Sequence, residues 1–70
     1  MCLAYPGKII KIENLEATID YQQEQRKAKL LEEGYNIGDY VIAQAGIVVQ
    51  KVDKEQALET IKLCSQNADS

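Results

Sequence analysis

Histidine, tryptophan and phenylalanine are absent from the seventy residues of this chain, arginine occurs once, at Arg26, and proline once, at Pro6. Without an imidazole there is no His-based acid–base catalysis, no Cys–His or Ser–His nucleophile pair and no imidazole metal site. The two cysteines, Cys2 and Cys64, stand near opposite ends of the chain with no CxxC spacing. That is too few for the disulfide framework of a secreted domain and fits reduced thiols in a cytoplasmic protein. Eight basic residues against eleven acidic ones give a net charge of −3, a poor balance for neutralising phosphates, so nucleic acid is not the expected partner. No stretch approaches the ~20 apolar residues of a membrane span. The start, Met1 to Pro6, has neither the basic nor the apolar region of a secretory leader.

What is present describes one small folded domain: 46% of residues are hydrophobic, 27% are charged and only four are glycine. A chain of this size buries only roughly 60% of its unfolded surface, too little for a deep, water-excluded pocket. Any site it carries is therefore expected to be completed by a partner.

Alternation with period two marks the strands. After Pro6-Gly7, Ile10 and Ile12 alternate with Lys11 and Glu13, placing the isoleucines inward. Asn14 turns the chain, and Ala17, Ile19 and Tyr21 then alternate with Thr18 and Asp20 to pair back as a hairpin. From Gln22 to Glu33 the composition favours helix. The apolar residues Ala28, Leu30 and Leu31 cluster at one end and form no helical stripe, so Glu24 to Leu31 is read as a third strand with Ala28 and Leu30 inward. Beyond a loop at Gly34 to Asp39, the β-branched runs Tyr40–Ala43 and Ile47–Val52 are central strands. Between them Ala45-Gly46 is read as a bend in one continuous strand rather than a hairpin. Asp53 and Gln56 form a capping box for an amphipathic helix of about three turns, with Ala57, Leu58, Ile61 and Cys64 at helical spacing, that docks through Leu58 and Ile61. The sum is a single domain: an all-β barrel of oligonucleotide-binding type over residues 5–52, a C-terminal helix over 53–65 and a polar tail over 66–70.

Cys2 is the chemically unusual residue. Excision of Met1 would place a thiol and an α-amine on one terminal residue, and an amine titrating near 7.7–8.0 favours the thiolate beside it. Its plain alternative is a small apolar side chain at a chain end. Tyr5, Tyr21, Tyr35 and Tyr40 suit half-buried strand packing better than base stacking, since they stand without Trp, Phe or a second Arg. Arg26, Lys27 and Lys29 beside Glu24, Glu32 and Glu33 read as a solvated strand edge.

Three stretches together resemble one family. The start MCLAYPGKI (Met1 to Ile9), the run Ala17-Thr18-Ile19-Asp20-Tyr21, and Gly38-Asp39-Tyr40-Val41-Ile42, followed by Gly46 and the helix from Asp53 to Ile61, resemble the HypC/HybG/HupF family of hydrogenase maturation chaperones over nearly the whole chain. That resemblance implies a non-enzymatic scaffold built on the barrel just described. It also implies that Cys2, exposed after Met1 removal, helps hold an iron carrying cyanide and carbon monoxide, shared with the partner HypD, and then engages the precursor of the [NiFe]-hydrogenase large subunit. A soft thiolate suits such an iron. The chain departs from the family's pattern at Gln44, where His is common two residues before the glycine. Gln hydrogen-bonds but does not titrate near neutrality. The segment from Leu31 to Gly38 is also shorter than usual. A small RNA-binding barrel and a structural adaptor with an inert Cys2 are the competing readings.

Overall fold

The structure is a computed structural model that describes residues 5–68, with side-chain surroundings through residue 63. Five strands, β1 (Gly7–Glu13), β2 (Glu16–Asp20), β3 (Gln25–Lys29), β4 (Tyr40–Gln44) and β5 (Ile47–Val52), precede one helix, α1 (Lys54–Ala68). They close in the order β1-β2-β3-β5-β4. Every pairing is antiparallel except β3 with β5, which meet in parallel at Lys29 and Ile47. This is the expected barrel of oligonucleotide-binding type with a C-terminal helix.

The core is a set of small and β-branched side chains. Ile9, Ala17, Ile19 and Val41 are fully buried, with Ala28, Leu30 and Val48 beside them. Ala17, Ile19, Ala28 and Leu30 point inward as their alternation requires. In β1 the phase differs from the simple pattern. Ile9 pairs with Ile19 and Lys11 with Thr18, so Ile10 is the extra residue of a β-bulge. The bulge turns Ile9, rather than Ile10, into the core, while Ile12 keeps a half-buried place against it.

The chain reverses between β4 and β5 in a tight antiparallel hairpin, which corrects the expectation of one bent strand. Ala45 and Gly46 both have positive φ, 56° and 78°, the combination of a type I′ turn. Alanine is a poor resident of the first of these positions, so the usual Asn-Gly signal was missing. The β1–β2 turn is built the same way on Asn14 and Leu15, at φ 53° and 62°.

Asp53 caps α1 as expected. Its Oδ2 accepts the amide of Glu55 at 3.2 Å and its carbonyl accepts the amide of Ala57 at 2.8 Å. No returning bond from Gln56 occurs among the described residues. The helix has fifteen residues, about four turns, and takes in the start of the segment expected as a tail. Ala57 and Ile61 are buried while Leu58 is 44% exposed, so the docked stripe runs through Ala57 and Ile61 rather than through Leu58 and Ile61. Residues four apart share a face, and Leu58 lies about 100° from Ala57 around the axis. Replacing Ile61 by Ala is expected to destabilise the chain by about 2–4 kcal/mol. An unchanged denaturation midpoint would show that the helix does not pack through this side chain.

Candidate functional site at the root of the N-terminal arm

Cys2 lies outside the described residues, as does the side chain of Cys64. The described structure begins three residues later and shows how the arm that carries Cys2 is anchored. Pro6 and Gly7 are buried, Pro6 completely. A Cβ on Gly7 would stand 2.3 Å from Cγ2 of Ile19 and 2.8 and 2.9 Å from two ring carbons of Tyr21. Only glycine lets the tyrosine ring lie on the backbone here. Tyr5 stacks on the outer side of that arrangement, its ring centroid 6.3 Å from that of Tyr21 at an interplanar angle of 29°. Burial pushes the Tyr21 phenol above its ordinary pKa, with Arg26 opposing the rise and Glu24 adding to it.

The second signature stretch lies against the first. β1 and β4 pair as Gly7 with Val41 and Lys8 with Tyr40. Gly38 takes a φ of +100°, closed to most side chains. The turn it permits is held twice, by the Asp39 amide donating to the Asn36 carbonyl at 3.0 Å and the Asn36 amide donating to Asp39 Oδ2 at 2.8 Å. The same loop extends the sheet beside β1: Ile9 donates to the Asp39 carbonyl and Gly38 to the Ile9 carbonyl, each at 2.8 Å.

Lys51 of β5 ties this loop down. Its Nζ is 3.2 Å from Asp39 Oδ2, donates to the Gly34 carbonyl at 3.1 Å and sits 5.5 Å from the centroid of the Tyr35 ring. The Asn36 amide and the Lys51 ammonium hold the Asp39 carboxyl below its usual pKa of 3.8. A depressed carboxylate contributes stability that is present above 3.8 and is lost as pH falls through the lower folded value. Asp39→Asn should therefore be less stable than the parent by about 1 kcal/mol at neutral pH. That gap should close on acidification below 3.8. Denaturant titrations at several pH values test this, and a gap that ignores pH would refute it.

β1 and β4 run antiparallel from the Gly7–Val41 pair. Gln44 is exposed at the end of β4, about 10 Å beyond Val41. Among the described residues no group of three or more His, Cys, Asp or Glu side chains is placed to hold a metal ion.

The expected strand edge carries its charges in solvent, with Arg26 Nε 2.9 Å from Glu24 Oε2. The tyrosine pair and the tether of Lys51, Asp39 and Tyr35 were not legible as sites in the sequence. Lys51 has no spacing relation to Asp39, and only the barrel brings them together. No described helix is long and apolar enough to cross a membrane.

Comparison with known proteins bears on the motifs that meet at this site. The chain is 42% identical over 69 residues to the hydrogenase maturation factor HypC of Helicobacter hepaticus, covering 94% of this chain and 80% of that one. It is 29% identical over 68 residues to the hydrogenase maturation factor HypC of Cupriavidus necator, covering 94% and 76% respectively. The model of the HupF/HypC family matches residues 1–64, a span that includes Cys2, the buried Pro6-Gly7 root, the Gly38-Asp39 turn and most of the helix. With both signature stretches paired across β1 and β4 and the match covering most of the sequence, the chain belongs to the HupF/HypC family.

Proposed function

We propose that this chain is a hydrogenase maturation chaperone that carries an iron bearing cyanide and carbon monoxide. Cys2 would supply one thiolate to that cargo, a HypD-like partner would supply the rest of its surroundings, and the precursor of a [NiFe]-hydrogenase large subunit would receive it. Membership of the family supports the maturation role. The observation that carries the finer reading is the adjacency of the two signature stretches. The turn at Gly38-Asp39 and the start of β4 brace the root of the arm on which Cys2 is borne.

The donor chemistry fits a carrier. The chain has no histidine, and the soft thiolate of Cys2 is a suitable ligand for such an iron. Removal of Met1 would add a partly protonated α-amine beside the thiol and increase its thiolate fraction. Few ligands on a cargo make its release to the next protein easier. In this reading the chain performs no catalysis and works in the cytoplasm.

The test is recovery of partners. The chain, tagged at its C-terminus so that Cys2 stays free, is purified from a hydrogenase-producing cell and its companions are identified by mass spectrometry. A HypD-like protein and the large-subunit precursor are expected in the wild-type sample. Recovery of RNA with neither protein would overturn the reading in favour of an RNA-binding barrel.

A further inference from the structure

The turn between β1 and β2 breaks two local rules at once. Leu15 sits at φ 62°, in the left-handed region where a bulky side chain is a rare resident. At the same position of the β4–β5 turn the chain uses Gly46, at φ 78°, and a glycine after Asn14 would be the ordinary choice for such a hairpin. The leucine is not held there by burial, since it is 48% exposed. Beside the turn, Glu13 and Glu16 stand directly opposite each other in the ladder, and like charges so placed destabilise a strand pair. Strain and like-charge pairing of this kind collect where function, rather than stability, sets the residue.

The surroundings of the turn define what it can meet. Leu15 and Leu30 line an open groove of about 440 Å³, together with Glu13, Glu16 and Lys29. Leu30 is 4% exposed and belongs to the core, so it forms the floor, and its amide donates to the Leu15 carbonyl at 2.8 Å, which ties floor to wall. The next residue, Leu31, is 70% exposed and is followed by the exposed Glu32 and Glu33. Four glutamates thus stand at or next to these leucines. Two ammonium groups oppose them, Lys29 across the ladder from Glu16 and Lys11 at 3.9 Å from Glu13.

We propose that the groove at the β1–β2 turn is a docking site for a protein segment in which an apolar side chain is flanked by lysine or arginine. The apolar side chain enters between Leu15 and Leu30, and the flanking cations meet the carboxylates that the barrel leaves in excess. Leu15 supplies the wall of the groove. Glycine in its place would relax the turn and remove that wall. Neither Cys2 nor the cargo enters into this contact, so it stands or falls separately from the chaperone reading.

The probe is a short synthetic peptide with two leucines at its centre and lysines on either side. Added to the isotope-labelled full chain, it should move the amide resonances of Glu13 to Glu16 and of Lys29 to Glu33, and leave those of Tyr21 and Lys51 in place. A peptide with glutamate for lysine should move none of them. Leu15→Gly should raise the folding equilibrium constant by about fivefold and weaken binding of the lysine peptide by about tenfold, so that lost binding in this variant is not lost folding. Glu13→Gln combined with Glu16→Gln should weaken binding at low salt by about fivefold and flatten its salt dependence. Shifts confined to another surface, or no shifts, would overturn the docking site, as would equal affinity in the parent and Leu15→Gly. Movement of the same resonances with the concentration of the chain alone would make the occupant a second copy and overturn the basic segment.

Discussion

Cys2→Ser is expected to leave the barrel folded and to abolish the transfer of iron to the hydrogenase. The side chain it alters is that of the second residue of the chain, ahead of the buried root at Pro6 and Gly7, and among the described residues the core cluster is drawn from Ile9 onward. Stability should therefore change by less than about 0.5 kcal/mol, the usual range for substitutions that touch no core or capping feature. The chemistry changes much more. Serine keeps the size and the hydrogen bonding but replaces a soft, readily ionised thiol with a hard hydroxyl that stays protonated at neutral pH. Cys2→Ala should match it in both respects. Thermal denaturation together with hydrogenase activity in a host whose own copy is deleted provides the check. Full maturation with Cys2→Ser would favour the adaptor reading, in which the terminal thiol is inert.

Gly7→Ala should have the largest effect on stability of any single-methyl change in the chain. The added carbon would meet Ile19 Cγ2 at 2.3 Å, and Ile19 is fully buried and cannot withdraw. The Tyr21 ring can swing outward, but only by leaving Tyr5 and exposing the core it half covers. A loss of about 2–3 kcal/mol is expected for overpacking of this kind, which lowers the midpoint of a domain this small by roughly 10 °C or more. An unchanged midpoint would contradict the close approach at the root of the arm. Val41 pairs with Gly7 on the other side, so the same change should also disturb the first residues of β4.

The parts of this fold that could be read from sequence are those in which one side chain decides the outcome locally. Ala17 and Ile19, like Ala28 and Leu30, sit two residues apart on strands that face solvent on one side, and alternation alone turned them inward. Where an extra residue interrupts the alternation, as at Ile10, no local signal announces it, because the bulge is set by register with β2. The hairpin at Ala45-Gly46 was obscured for a similar reason. Its positive φ values are imposed by the pairing of β4 with β5, and alanine does not advertise them. In α1, Ala57 and Leu58 both stand at helical spacing, and Leu58 is the larger and more hydrophobic, yet it is Ala57 that is buried and Leu58 that is 44% exposed. The candidate site divides in the same way. Cys2 stood out through its chemistry and its position in the chain. The tether from Lys51 to Asp39 depends on two residues brought together only by closure of the barrel, and the seat of Tyr21 on Gly7 depends on the start of β1 lying against the end of β2.

Gln44 stands where the family resemblance implies a histidine. Gln44 is exposed and carries no charge at any ordinary pH. Cargo handling in this chain should consequently lack a titration between pH 5 and 8 of the kind an unperturbed imidazole would confer.

The central claim is that the Cys2 thiolate holds an iron whose other ligands include cyanide and carbon monoxide. Infrared spectroscopy addresses it most directly, because the stretching bands of those two ligands lie in a region that protein leaves clear. The chain is purified with its HypD-like partner from one host as wild type and as Cys2→Ser, and the spectra are compared at equal protein concentration. Cyanide and carbonyl bands should appear in the wild-type complex and be lost with Cys2→Ser. Bands of equal intensity and position in both would contradict the claim.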